Sequence, residues 1–373
     1  MRTLHILHSE AAPGWGGQEI RVFQECKLLL ERGYRVSIVC QPDVPLGKKF
    51  SQLKHPQFRY LPLKMKRPFS LITLFSLLRI IKNAQPDILH SHSSIDSWLM
   101  AIAGKILGVR IIRSRHVMIP IRNHLFNRWL YAKMPSRILT SGRGISKMIS
   151  EHIGVPAEKI KSIPAGVDFR RFDFKISGEK IRKELGVESH QPLIGKVAVI
   201  RSWKGHDYFI ESVPLVLEQY PSAQFVIAGA GPGYETIWSK IKSLGLDKSV
   251  HMLGHREDIP EIMAALNVHC VASFAIEGTT QVIPQAFAMK TPVVSTRMDS
   301  ILPIIGNGEW GILVEPKNPQ EMANGIMTFL NKPELAASMA RKAYTFCKNE
   351  LSTDKMMDNT ISVYHDVLDN SNP

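Results

Sequence analysis

Val268 to Thr296, VHCVASFAIEGTTQVIPQAFAMKTPVVST, is the stretch whose reading decides the fold. Val268–Ser273 is a short apolar run with strand character, and Thr291–Thr296, opened by Thr-Pro, is a second. Between them, residues 281–289 set Val282, Phe287 and Met289 along a helix. The order is strand, exposed Glu277-Gly278 turn, helix, strand, which is the repeating unit of a parallel α/β sheet. A turn that offers backbone N–H groups and a helix N-terminus at the carboxyl end of a strand is a natural anion site. Packing has no need of a carboxylate at that point. Glu277 therefore reads as a hydrogen-bond acceptor for a hydroxylated ligand, with a plain strand–turn–helix unit and a chance glutamate as the alternative.

The same alternation extends outward in both directions. Strands are expected over 3–8, 35–40, 58–63, 87–92, 110–116, 137–141 and 160–164, then again over 193–200, 224–229, 250–253, 268–273 and 291–295. A helix starting near Gln18, with Ile20, Phe23, Cys26 and Leu30 on one face, follows the loop SEAAPGWGGQE, and Gly33 ends it. Strand, glycine-rich loop and helix open a doubly wound domain. The glycines Gly14, Gly16 and Gly17 do not match GxGxxG, so nicotinamide binding is poorly supported. Two strands end in histidine, at His92 and His116, and so present imidazoles at the edge of the sheet where α/β ligand sites form. Polar residues 169–184 look like a linker.

The chain has 373 residues, enough for two cores, with 44% hydrophobic and 21% charged residues. Its net charge of +14 is unevenly placed. Residues 1–150 hold 24 Lys and Arg against 7 Asp and Glu, whereas the remainder holds 23 against 26. One half thus faces something anionic: a membrane, a phosphorylated acceptor or nucleic acid. Lys64, Lys66 and Arg67 precede a strongly apolar segment over 69–81, as in a helix that lies on an anionic bilayer. Trp129 and Tyr131 are a second candidate for a headgroup level. Four cysteines have no metal-like spacing and read as buried thiols of a reducing compartment. No signal-peptide core follows Met1-Arg2, and no apolar run is long enough to span a bilayer. A cytoplasmic protein is expected, peripheral on the inner face of the cytoplasmic membrane.

Glu277, seven residues, Gln285 and then AFAMKTPVVST resemble the signature of the family 4 retaining glycosyltransferases that use nucleotide sugars. Thr279-Thr280 stand where Phe-Gly is usual, and Gln285 replaces a second glutamate. Further segments are similar to that family in the same order: Gly16-Gly17 with Glu19, the His92 and His116 strand ends, and Ser162-Ile-Pro-Ala-Gly-Val-Asp168. Arg201-Ser-Trp-Lys204-Gly205, the Ala-Gly229-Ala-Gly-Pro turn and Val250-His-Met-Leu-Gly-His-Arg256 continue the series.

The resemblance implies the GT-B fold, two Rossmann-like doubly wound domains facing across a cleft. The expected division is 1–168 on the acceptor side, a linker over 169–190, a nucleotide-sugar domain over 191–350, and a C-terminal helix over 351–373 that crosses back. It implies donor contacts at Gly16, Gly17, Arg201, Lys204, Gly229, Arg256, Gly278, Thr279, Thr280 and Gln285, and acceptor-side contacts at Glu19 and His92. Arg201 and Lys204 would neutralise the donor diphosphate, so that no metal or other cofactor is expected. Two cations at a strand's end beside a helix N-terminus suit such a leaving group. Glu277 would orient donor-sugar hydroxyls and His116 would bond the transferred sugar. The donor would be a UDP-, GDP- or ADP-sugar, and the acceptor a lipid-linked or phosphorylated glycan such as lipopolysaccharide. Two other classes remain: a sugar-nucleotide epimerase of the same fold, for which a matching set of acid/base carboxylates is missing, and a basic nucleic-acid binder. No nucleic acid is expected, since the basic residues lack aromatic interleaving and no RNA or DNA motif appears.

Overall fold

The computed structural model describes residues 3–67, 70–275 and 280–369. It divides into two compact units, residues 1–165 with 356–373, and residues 166–355. In the first, seven strands run in parallel: β1 His5–Glu10, β2 Arg35–Cys40, β3 Phe58–Pro62, β4 Ile88–Ser91, β5 Arg110–Arg115, β6 Arg137–Thr140 and β7 Ile160–Ser162. Their spatial order is β3-β2-β1-β4-β5-β6-β7. The second unit has six, β8 Leu193–Val197, β9 Gln224–Ala228, β10 Val250–Gly254, β11 Val268–Val271, β12 Val293–Thr296 and β13 Ile312–Val314, in the order β10-β9-β8-β11-β12-β13. Each sheet reverses its winding once, between β1 and β4 and between β8 and β11. Ligand sites of doubly wound sheets form at the carboxyl ends of such strands.

The central strands are buried along their whole length, as parallel strands covered on both faces must be. The expected linker does not run free. Phe172 and Ile181 are buried in the second unit's core, and Glu179–Glu184 is a short helix that turns Ile181 inward. The last helix, Thr353–Asp369, sends Met356, Met357, Val363, Tyr364 and Val367 into the core that holds Ile6, Val36, Ile88 and Ile112. All four cysteines are buried, and burial pushes Cys40, Cys270 and Cys347 up to about 12. Among the described residues no helix is long and apolar enough to cross a membrane.

Candidate functional site

In the second unit, β8 runs out through Ile200 into a turn of 3-10 helix, Ser202–Lys204, and Gly205 starts the helix His206–Leu217. The turn is held by close approach. Gly205 has φ +67°, and a Cβ there would lie 1.9 Å from the Ala272 carbonyl oxygen. Gly229 and Gly231, after β9, pass as tightly over the Ala198 and Ile200 carbonyl oxygens, where a Cβ would sit at 1.8 and 2.4 Å. These contacts seat the loop on the ends of β8 and β11. Below it lies a cavity of about 210 Å³ lined by Lys196, Lys204, Ser273, Thr280, Gln281 and neighbouring apolar residues. The site therefore joins a cation, a helix N-terminus and the start of the helix Val282–Ala288; half-buried Gln285 lies further along that helix and does not line the cavity. An anion with hydroxyl groups fits that set.

Not every residue expected here enters the cavity. Arg201 is exposed, with its guanidinium 5.2 Å from the Trp203 ring centre. Arg256 is bound by carboxylates on either side, Asp258 at 2.6 Å and Glu184 at 2.5 Å, and these partners raise its pKa; it braces the second unit. Gly229 serves through close packing against β8, by the contact given above. Glu277, Gly278 and Thr279 lie outside the described residues. Lys196 was missed from the sequence: it is an interior residue of β8, almost fully buried, and lines the cavity. A lysine inside LIGKV was the available signal.

The first unit builds a different edge. His92 follows β4 and His116 follows β5, and His92 Nδ1 lies 3.3 Å from His116 Nε2. The Asp96 carboxylate fixes the chain at His92 by accepting its backbone N–H at 3.0 Å, together with the Ser93 N–H at 2.9 Å and the Ser9 hydroxyl at 2.7 Å. His8 of β1 joins from the other side, its Nδ1 3.0 Å from His92 Nε2. Burial holds His92 and His116 well below the ordinary imidazole range and lowers His8 to about 3, so all three rings are neutral at pH 7. His8 was missed although it ends the expected strand 3–8 just as His92 and His116 end theirs. Glu10 was missed too. It is buried at the end of β1, takes the Ala12 N–H at 2.8 Å and the Gln18 amide at 2.6 Å, and is raised to about 8 by burial and the Asp96 carboxylate.

Beside Glu10 the glycine loop is open. A Cβ at Gly14 or Gly17 would meet nothing within 4 Å, and at Gly16 only the Glu19 carboxylate, at 3.5 Å. Glu19 accepts the Gly16 N–H at 2.7 Å and so caps the helix Gly17–Glu31. Tyr131, expected at a headgroup level, is buried. Arg113 stacks on its ring at 3.8 Å, and both Arg113 and Arg115 donate to its hydroxyl at 2.9 and 3.0 Å.

With this geometry in hand, the chain matches two family models, Glycosyltransferase Family 4 over residues 15–171 and Glycosyl transferases group 1 over 177–346. An Escherichia coli UDP-Gal:alpha-D-GlcNAc-diphosphoundecaprenol alpha-1,3-galactosyltransferase is 25% identical over 391 residues, covering 99% of this chain and 100% of that protein. The N-acetyl-alpha-D-glucosaminyl L-malate synthase of Bacillus anthracis is 21% identical, with 95% of each chain covered. Among solved structures, a glycosyltransferase from Rickettsia africae superposes with a TM-score of 0.90 at 21% identity over 100% of both chains. HepE of Anabaena in complex with UDP gives 0.84 at 20% identity, covering 98% of this chain and 100% of that one. The fold is that of the GT-B glycosyltransferases, and the chain belongs to the family 4 glycosyltransferases.

Proposed function

We propose that this family 4 glycosyltransferase moves a sugar, with retention of its anomeric configuration, from a UDP-sugar to a hydroxyl of a lipid-linked glycan acceptor. The observation that carries the donor side is the Lys204-lined cavity at the ends of β8 and β11, beside a helix N-terminus. UDP in the Anabaena protein and the UDP-galactose relative point the same way. Lys204 would meet the diphosphate, with Arg201 able to swing in from its exposed position, and Gln285 would meet the ribose. Charge-assisted contacts of this kind stabilise a developing pyrophosphate without a metal. In the scheme that follows, the acceptor attacks from the face the diphosphate leaves, and the departing phosphate takes its proton. Glu277 orients donor hydroxyls, and His116 bonds the transferred sugar. Because His116 is neutral, it works as a hydrogen-bonding group and adds no charge of its own.

A thermal-shift panel of UDP-, GDP- and ADP-sugars tests this reading. A donor at a hundred times its dissociation constant stabilises by roughly 2.7 kcal/mol. The expected result is a shift with a UDP-sugar alone; no shift with any member refutes it.

The acceptor side is proposed to work at an anionic bilayer, on the cytoplasmic leaflet. The helix Leu71–Ala84, capped by the Ser70 hydroxyl, leaves Leu71, Ile72 and Phe75 68, 82 and 70% exposed, next to Lys66 and Arg67. Leu125, Phe126 and Trp129 are likewise exposed beside Arg122, Arg128 and Lys133. Water-facing apolar side chains set among cations suit a membrane interface. Co-sedimentation with vesicles is expected to rise with anionic lipid and fall with salt. Binding that ignores both variables contradicts the bilayer.

A further inference from the structure

His8 of β1 and the histidines that follow β4 and β5 form a continuous run. His116 Nε2 meets His92 Nδ1 at 3.3 Å, and His92 Nε2 meets His8 Nδ1 at 3.0 Å. The ring planes are nearly parallel, 12° apart for the first pair and 11° for the second. Behind them His8, Glu25, His90 and His92 each bring a nitrogen or carboxylate oxygen into one group, all within 4.8 Å of one another. In that group His8 Nε2 and Glu25 Oε2 are buried without a hydrogen-bond partner. So is His116 Nδ1, at the other end of the run.

A neutral imidazole has one N–H and one lone pair. The two N···N contacts therefore allow only two complete arrangements. In one, every ring carries its proton on Nε2: His116 donates to His92, His92 donates to His8, and His116 Nδ1 is left as an acceptor. In the other, every proton sits on Nδ1, the bonds run backward, and His116 Nδ1 is a donor. A single flipped ring would oppose two lone pairs or two protons, so the run changes as a whole. Glu25 breaks the symmetry. Its Oε1 accepts the Arg21 Nε–H at 2.7 Å, which leaves the lone pairs of Oε2 in the interior beside the histidines. A negative oxygen there favours an N–H over a lone pair on His8 Nε2.

We propose that Glu25 and His8 are positioning residues that lock His8, His92 and His116 in the Nε2–H form, so that His116 offers Nδ1 as an acceptor to a sugar hydroxyl. The sugar contact rests on the donor reading above; the lock does not. The same group has metal-ligand chemistry, but Arg21 brings a cation of its own to Glu25 Oε1. A dication would leave two uncompensated charges in a dry interior.

Nitrogen NMR of protein labelled with ¹⁵N-histidine, without substrate, tests the lock. The expected spectrum shows His116 with a pyridine-type Nδ1 and a pyrrole-type Nε2, assigned by the signals lost in His116→Gln. His8→Leu, which removes the acceptor for His92, is expected to mix the two tautomers. Glu25→Gln, which removes the charge, should do the same. His8→Asn, whose Oδ1 stands where Nδ1 was, should restore the wild-type pattern. A pyrrole-type Nδ1 on wild-type His116 overturns the proposal even if the variants fail to fold. So does one equivalent of zinc in the purified enzyme whose removal by chelator changes these signals. With the UDP-sugar that gives the largest thermal shift bound, an unmoved His116 Nδ1 signal overturns the sugar contact. Absence of a shift with any UDP-sugar refutes the donor reading instead.

Discussion

The two halves of the chain open in the same way, with a strand, a glycine-bearing loop and a helix, yet the glycines do opposite work. In the second unit Gly205, Gly229 and Gly231 are where backbone passes over backbone, and none has room for a methyl group. In the first, Gly14 and Gly17 face open space. The closed loop fixes where Lys204 stands over its cavity; the open one leaves bare backbone exposed at the end of β1. Charge is inverted in the same sense. The half with 24 basic residues carries neutral histidines at its strand ends, whereas the nearly balanced half puts Lys196 and Lys204 at its cavity. Net charge describes the surface a half shows, and the sheet edge describes its chemistry.

Substitution at the closed loop should break this contrast most severely. Gly205→Ala forces a left-handed residue against the Ala272 carbonyl oxygen and is expected to cost more than about 3 kcal/mol. In a unit of this size that lowers Tm by roughly 6–12 °C. Gly17→Ala, the matched change in the open loop, should stay within about 0.5 kcal/mol in stability. Calorimetric scans of both variants decide it, and equal losses would mean that the two loops are not different in kind.

Buried histidines offer the next largest effect. His90 of the first unit is bonded at both nitrogens, to Tyr364 and Ser114 at 2.8 Å each, whereas His269 of the second is fully buried beside Lys196 with no side-chain hydrogen bond to its ring. Burial, helped by Lys196, lowers His269 to about 3. The unfolded chain therefore takes up this proton first. Its penalty is absent above pH 6.5 and grows as pH falls toward 3. By pH 5 it amounts to about 2 kcal/mol. His269→Leu should thus flatten the acid limb of a urea-unfolding series by that amount with little change at pH 7. An unchanged acid limb would contradict the assignment. A smaller effect is expected at Gln285. Gln285→Glu restores a charge-assisted bond to a ribose and should tighten UDP by about 1 kcal/mol; weaker binding would place the ribose elsewhere.

Most of the fold was legible because both sheets are parallel. Buried parallel strands read as apolar runs between loops, and the runs at 35–40, 224–229 and 268–273 reappear as β2, β9 and β11 within a residue or two. What escaped was whatever depends on long-range packing. The sequence 122–131 has the aromatic and basic character of an interfacial helix, but nothing local says that two arginines from β5 enclose Tyr131. Phe172 and Ile181 look isolated among charges until the second core collects them. Lys196 looks like any strand lysine until β8 proves to be central. At the site, Lys204 and Thr280, named through the family resemblance, line one cavity, while Arg256 is held by Glu184, 72 residues away.

Calorimetric titration of UDP into the wild-type enzyme and Lys204→Ala tests the central claim, that the second unit holds the donor diphosphate at this loop. Loss of one charge-assisted contact of about 1.5–3 kcal/mol predicts a Kd raised roughly 10- to 150-fold in the variant, with its fold and Tm preserved. Equal UDP affinity in the two proteins would contradict it.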